Sequence, residues 1–206
     1  MTITLRNTKG SPLTYSEADG NFSDLDTRTG AGWRDNVIEM TTRGGVTEPP
    51  RALFRDNIYL LQFSHLDLME VYGNFHVDHD YKLNTAIYPH IHWTTNTSDT
   101  GTVRWGFEYT VAKGHQQAAF PATTTVYVEQ ASTGTPYMHY VAEVSTGSAI
   151  PGTNIEPDTF ILMRVFRDAD HPNDTFEGSV YGIALDLHYQ ADRATTPNKA
   201  PNFYGV

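Results

Sequence analysis

An alternation of bulky apolar and smaller or polar residues, with a period of two, is the feature that most limits what this chain can fold into. It is clearest in two segments, residues 102–112 and 180–190. In the second segment one face of a strand would carry Tyr181, Ile183, Leu185, Leu187 and Tyr189. Successive residues of a β-strand point to opposite faces, so this spacing predicts strands with one face buried in a core. Residues 159–166 form another apolar run, and the polar loop that follows predicts an antiparallel pair with 180–190.

About eight such segments follow one another from residue 35 to residue 192, and no helical segment separates them. Parallel β-α-β units are therefore excluded, and the prediction is all-β. We expect an antiparallel two-sheet sandwich of the jelly-roll type, with an immunoglobulin-like sandwich as the alternative. The predicted domains are an N-terminal arm with a short helix (1–34), the sandwich (35–192) and an extended C-terminal tail (193–206). The predicted core includes Trp105, Phe107, Tyr109, Leu185 and Leu187. A hairpin is expected between segments 123–130 and 137–145.

Charge and cysteine content exclude several classes of function. The formal net charge is −10, with 14 Lys and Arg residues and no basic cluster, which argues against a nucleic-acid partner. The chain has no Cys, so disulfides and thiolate chemistry are excluded. We also expect no membrane partner, because no apolar run approaches the length of a membrane-spanning helix.

Two groups of residues are weak candidates for metal ligands. His90 and His92 are two apart, so both would project from the same face of one strand, as in the metal sites of cupins. Their missing partners could be Glu108, His139 or His188, but no spacing identifies one. The loop after residue 166 carries Asp168, Asp170 and Asp174, oxygen ligands that would suit Ca²⁺, although such residues also form turns. With these ligand sets incomplete, we expect no bound metal, no cofactor and no catalytic residue.

The segments outside the predicted sandwich are polar and contain several Gly and Pro residues, yet they also carry apolar side chains. Thr14 and Glu17 have the spacing of a helix capping box, and a weak helix interrupted at Gly20 and Asn21 should follow. We predict that both segments are disordered in the isolated subunit and become ordered on a neighbouring subunit. The predicted assembly interface consists of Ile3, Leu5, Phe22, Leu25, Phe203 and Tyr204.

Two parts of the sequence resemble virion structural proteins of tailed bacteriophages. The stretch 10–25, GSPLTYSEADGNFSDL, resembles the opening segment of many such proteins, and 166–193, with NFHVDHDY (74–81) and YPHIHW (88–93), resembles their β-rich domains. The resemblance implies a non-enzymatic component of the virion, made in the cytoplasm of a bacterial host. It implies a capsid decoration (cement) protein or a tail fibre or adhesin.

The implied partners are copies of the chain itself, in a closed oligomer such as a trimer, and the major capsid protein or the tail proteins of the same particle. Two alternatives remain open. One is a tail-associated receptor-binding module in which Trp93, Trp105 and tyrosines stack on sugar rings. The other is a cupin-like metal enzyme that uses His90 and His92.

Overall fold

Two antiparallel β-sheets packed against each other form the body of the protein in a computed structural model, which describes residues 4–28 and 30–205. The predicted all-β antiparallel sandwich is confirmed. The described residues contain ten strands: β1 (Ala31–Ile38), β2 (Arg51–Arg55), β3 (Ile58–Phe63), β4 (Glu70–His76), β5 (Tyr88–Thr94), β6 (Thr100–Lys113), β7 (Thr124–Thr133), β8 (Tyr140–Glu143), β9 (Thr159–Arg167) and β10 (Val180–Asp192). Two helices, α1 (Arg6–Lys9) and α2 (Tyr15–Arg28), precede them.

The larger sheet is organised around β10. Its strand order is β2-β3-β10-β5-β8, and β1 also pairs with β10 as the sixth strand. One edge of β10 pairs with β5, while the other edge pairs with β3 at residues 180–182 and with β1 at residues 185–192. The smaller sheet has four strands in the order β4-β9-β6-β7.

The pairing of the last eight strands is nested. β3 pairs with β10, β4 with β9, β5 with β8, and β6 with β7. Two predicted strand pairs are therefore wrong. The hairpin between 123–130 and 137–145 does not form, because β7 and β8 belong to different sheets. The antiparallel pair of 159–166 with 180–190 does not form either, because β9 pairs with β4 and β6 in the smaller sheet while β10 lies in the larger one. Tyr140 explains why β8 joins the larger sheet, since its ring stacks on Trp93 with centroids 4.4 Å apart, inside the core.

The core lies between the two sheets and is rich in aromatic residues. Trp105 is completely buried, and its ring meets Phe63 of the opposite sheet edge-on at 5.0 Å. Edge-to-face contacts of this kind are favourable beyond the area they bury. The predicted core positions are confirmed: the buried residues include Trp105, Phe107, Tyr109, Leu185 and Leu187.

The uniform alternation predicted for β10 is wrong at its start. The register shifts between Gly182 and Ala184, so Ile183 forms a bulge and is 40% exposed. A bulge adds one residue to the strand, so the residues before it point to the face opposite to the one that uniform alternation predicts. Tyr181 therefore lies on the outer face of the sheet, opposite Gln62. Gly182 permits this, since a Cβ atom there would lie 2.9 Å from the Phe63 ring.

The N-terminal segment is more regular than predicted. Thr14 and Glu17 form the expected reciprocal capping box, with Thr14 N donating to Glu17 Oε2 (2.8 Å) and Glu17 N donating to Thr14 Oγ1 (3.2 Å). The predicted interruption at Gly20 and Asn21 is wrong, because α2 continues to Arg28. Asn21 instead exchanges two hydrogen bonds with the backbone of Thr4. The sandwich begins at Ala31, four residues earlier than predicted.

Candidate functional site

A group of histidines and carboxylates lies on the outer face of the larger sheet. In antiparallel pairs, directly opposite residues share a face. Asp186 of β10 lies opposite His90 of β5, and His90 lies opposite Glu143 of β8. In the neighbouring row, Asp35 of β1 lies opposite His188 of β10. With two further histidines, the histidine patch consists of Asp35, His90, His92, His139, Glu143, Asp186 and His188.

The core fixes the direction in which these side chains point. Ile91 and Trp93 of β5 are completely buried between the sheets, and so is Leu185 of β10. Because side chains alternate along a strand, His90, His92 and Asp186 must project to the opposite, outer face. The two histidines therefore do not enter a cavity inside the sandwich, which is the arrangement that a cupin-like site would require.

Three atoms of the patch converge without hydrogen-bonding one another. The Nε2 atoms of His90 and His92 each lie 3.6 Å from Oδ2 of Asp186, and each of the three residues offers a ligand atom within 4.8 Å of those of the other two. These separations exceed the length of a hydrogen bond. The side chain of His90 is only 1% exposed, yet its Nε2 has no hydrogen-bond partner among the described residues. Asp186 is also buried, and its Oδ1 accepts a hydrogen bond from Leu187 N at 3.0 Å.

The surroundings favour neutral imidazoles at His90 and His92. Burial lowers the pKa of His90, and the neighbouring His188, whose ring stacks on it at 4.1 Å, lowers that pKa further. Burial also lowers the pKa of His92, with a smaller effect from His139. A neutral imidazole keeps one nitrogen lone pair, so both side chains can act as acceptors or as metal ligands.

A cleft of about 390 Å³ opens beside the patch. It is lined by Trp33, Tyr88, Glu143, Thr146 and His188. Trp33 is 58% exposed and meets Tyr88 edge-on at 5.6 Å. His188 lines this cleft and is held by two carboxylates, because its Nδ1 pairs with Glu143 and its Nε2 lies 2.6 Å from Asp35.

The sugar-stacking role predicted for Trp93 and Trp105 is not possible. Both rings are completely buried in the core. A ring must present a face to solvent in order to stack on a ligand, so in this region the exposed Trp33 is the tryptophan that could do so.

Sequence reasoning found only part of the histidine patch. The spacing of His90 and His92 identified both, and His139 joins them, with its Nε2 2.7 Å from His92 Nδ1. Glu108 does not, since it lies in the other sheet and accepts a hydrogen bond from Arg164 at 2.8 Å. Asp186 was missed, although a carboxylate between Leu185 and Leu187, inside the most regular apolar alternation, is itself an unusual feature.

Two of the three candidate carboxylates of the acidic loop are already paired with arginines. Asp174 forms a bidentate ion pair with the fully buried Arg167, at 2.7 and 2.9 Å. Asp168 accepts a hydrogen bond from Arg104 Nε at 2.9 Å, and Asp170 is exposed at the surface. The arginines thus occupy two of the three oxygen ligands that the sequence suggested.

A second cluster of histidines surrounds Asp158. Its carboxylate lies 3.0 Å from His76 Nε2, 3.3 Å from His79 Nε2 and 2.7 Å from His115 Nε2. Burial acts to raise the pKa of Asp158, but hydrogen bonds from His115 and His76 outweigh it and keep the pKa below its usual value. Phe203 packs edge-on against both His79 and His115.

This contact changes the interpretation of the C-terminal tail. Phe203 is buried on the chain's own sandwich, and Tyr204 donates a hydrogen bond to the carbonyl of Tyr81 at 2.9 Å. Phe203 thus already packs within its own chain and offers little surface to a neighbouring subunit, whereas the half-buried Tyr204 stays a predicted interface residue.

The N-terminal arm, residues 4–28, differs from the tail in this respect. Its apolar side chains face solvent: Leu5 is 56% exposed, Phe22 is 71% exposed and Leu25 is 45% exposed. Ile3, the remaining residue of the predicted interface, lies outside the described residues. The arm thus retains apolar surface for which the sandwich provides no cover.

Comparisons with known proteins give no family assignment. No protein-family model matches the chain, and a search of curated proteins finds no match either. Within residues 4–28 and 30–205, no helix is both long enough and apolar enough to cross a membrane.

Proposed function

We propose that this chain is a non-enzymatic structural subunit of a tailed-bacteriophage virion, a decoration (cement) protein of the capsid. The sequence resemblance in residues 10–25 and 166–193 supports this proposal. In this role the protein would act by burying surface against copies of itself, in a closed oligomer such as a trimer, and against the major capsid protein.

The exposed apolar face of α2 is the observation that carries the proposal. The helix is capped at Thr14 and Glu17, so its start is well defined, yet Phe22 and Leu25 extend into solvent. Full burial of a large apolar side chain is worth about 1.5–3 kcal/mol. Because Phe22 is 71% exposed and Leu25 is 45% exposed, a neighbouring subunit that covers both would gain about 2–3 kcal/mol. A helical arm of this kind adds interface area without enlarging the sandwich.

The nested strand pairing supports a jelly roll. In that fold the first of eight strands pairs with the last, the second with the seventh, and so on inward. The eight strands from β3 to β10 pair in this way. Jelly rolls occur in viral capsid proteins and in lectins. This support is an analogy at the level of the fold, and it fits both a shell protein and a receptor-binding protein.

The cleft at Trp33 favours a second candidate function, a tail-associated module that binds a host glycan. An exposed tryptophan beside a tyrosine can stack on a sugar ring, and Glu143 can accept hydrogen bonds from its hydroxyl groups. Labelled-antibody electron microscopy on intact particles separates the two functions. Label on the shell supports the decoration protein, and label on the tail replaces it with the receptor-binding module.

The arm hypothesis is tested by incorporation into particles. Deletion of residues 1–30 should leave the sandwich folded and abolish incorporation, measured as copies per particle on gels of purified virions. The double variant Phe22→Ala/Leu25→Ala should weaken attachment about 30- to 100-fold, the equivalent of about 2–3 kcal/mol.

Leu68→Ala is a matched control for this experiment. Leu68 is 44% exposed, nearly the same as Leu25, but it lies on the sandwich, outside the arm. Its substitution should leave the copy number unchanged. Truncated protein that joins particles at the wild-type copy number would overturn the proposal, because the sandwich alone would then be the attachment element.

A further inference from the structure

The hydrogen-bond partners of His90 determine which of its nitrogens is free. Its Nδ1 lies 3.3 Å from the carbonyl oxygen of Tyr88. A carbonyl oxygen can only accept, so Nδ1 is the nitrogen that carries the proton in the neutral ring. Nε2 then presents a lone pair toward Asp186, from a side chain that is almost completely buried.

His92 is oriented in the same way by a neighbouring side chain. Its Nδ1 lies 2.7 Å from Nε2 of His139. When Nδ1 donates in this hydrogen bond, Nε2 of His92 also presents a lone pair toward Asp186. Histidines that bind metals characteristically donate their second ring nitrogen to a carboxylate, a backbone carbonyl or water, which fixes the tautomer and the ring orientation. For His92 the acceptor would be the imidazole of His139.

Two nitrogen lone pairs and a carboxylate oxygen thus converge on the outer face of the sheet, and no described residue places a proton donor between them. A cation at the centre would offset the repulsion among these three atoms. The spacing is suitable for one. Zinc bonds to imidazole nitrogen and carboxylate oxygen of about 2.0–2.2 Å place tetrahedral ligand atoms roughly 3.3–3.5 Å apart. The two observed nitrogen–oxygen separations, both 3.6 Å, are close to that value.

We propose that His90, His92 and Asp186 bind one divalent transition-metal ion of the zinc class per chain. Two imidazoles and one carboxylate are typical ligands of such ions. A softer cation prefers thiolate or thioether ligands, and a harder one prefers oxygen ligands alone. Three protein ligands leave at least one position for water. The ion links β5 to β10, the two central strands of the larger sheet, and its binding is independent of particle assembly.

The proposal is tested on the purified full-length protein, stripped with a chelator and then titrated with Zn²⁺ by calorimetry. Wild-type protein should bind one equivalent per chain. Asp186→Asn should weaken binding at least about 100-fold, because it removes the anionic ligand while its side chain can still accept from Leu187 N. His139→Gln should weaken binding about 10- to 100-fold, the usual effect of removing a residue that orients a ligand.

His115→Gln is the matched control. It removes a histidine that also contacts a carboxylate, Asp158, in the other cluster, and it should leave zinc affinity unchanged. Titration with Co²⁺ gives an independent readout, since its visible absorption reports nitrogen and oxygen coordination and should disappear in Asp186→Asn. Circular dichroism checks that each variant is folded. If Asp186→Asn does not fold, His92→Gln replaces it, since the ring of His92 is partly exposed.

Several results would overturn the proposal. One is that wild-type protein takes up no zinc under these conditions. Another is that the folded Asp186→Asn and His92→Gln variants bind zinc as tightly as wild type. Loss of binding in His115→Gln alone would assign the metal to the Asp158 cluster instead. A stoichiometry well below one ion per chain would contradict a site built from a single subunit.

Discussion

Replacement of Asp174 by asparagine should leave the guanidinium of Arg167 buried without its negative partner. The side chain of Arg167 is fully buried and that of Asp174 is 2% exposed. Two parallel hydrogen bonds join them, and Asp174 Oδ2 also accepts a hydrogen bond from Arg104 N at 3.0 Å. The substitution retains the size of the side chain and one acceptor oxygen but removes the charge.

The expected loss follows from the geometry of the pair. Two unit charges about 4 Å apart interact by about 4 kcal/mol at an effective dielectric constant of about 20. Removing one partner from buried ion pairs typically costs about 3–5 kcal/mol. Arg167 retains its hydrogen bonds to the carbonyls of Gly178 and Phe176, and asparagine retains one acceptor. We therefore expect Asp174→Asn to lower the free energy of unfolding by about 3–4 kcal/mol.

Urea denaturation followed by tryptophan fluorescence measures this loss, since the unfolding free energy varies linearly with denaturant. Asp168→Asn is the control. Asp168 is 26% exposed, and its partner Arg104 keeps a second carboxylate, Glu129, at 2.7 Å, so the loss should be about 0–1 kcal/mol. The double variant Arg167→Met/Asp174→Asn should lose less than the sum of the two single variants, because it buries no unpaired charge. A change below about 1 kcal/mol for Asp174→Asn would refute the reasoning.

Two further predictions concern stability. Burial acts to raise the pKa of Glu70, but hydrogen bonds from Arg164 and Thr47 outweigh it and hold the pKa below 4.5. The ionised Glu70 therefore stabilises the folded protein above pH 4.5, and this contribution is lost as the pH falls through the lowered pKa. Glu70→Gln should lower the free energy of unfolding by about 1–3 kcal/mol near neutral pH. It should also make the midpoint of urea unfolding less sensitive to pH below 4.5. An unchanged pH dependence in acid would contradict this assignment. Trp105→Ala should cost about 3–5 kcal/mol in the same assay, whereas Trp33→Ala, which removes the same ring from an exposed site, should cost less than about 1 kcal/mol; equal losses would be inconsistent with the core described.

The strands that the sequence predicted best are those in which apolar and polar residues alternate without interruption. In β6 the faces of Val103, Trp105 and Phe107 follow directly from alternation, because nothing disturbs the period of two. In β10 the bulge at Ile183 reverses the faces of the residues before it, and only the packing of Gly182 against Phe63 shows where this happens. Local alternation carries no information about such an insertion.

The pairing of strands that are distant in sequence is the second feature that the sequence could not predict. β7 and β8 are adjacent in sequence, which favoured a hairpin, but their apolar side chains are buried in different sheets. The same reason explains the incomplete histidine patch. His90 and His92 are close in sequence, whereas Asp186 reaches them only through the pairing of β5 with β10.

The central position of β10 has a consequence for synthesis of the protein. It is the last of the described strands, yet β1, β3 and β5 all pair with it. Until it leaves the ribosome, the larger sheet lacks its middle strand, and the edges that β3 and β5 present to it remain unpaired. Closure must bring together parts of the chain far apart in sequence, which makes folding slow, and open edges invite pairing with other chains. The nascent subunit is therefore most prone to aggregate before β10 has emerged from the ribosome.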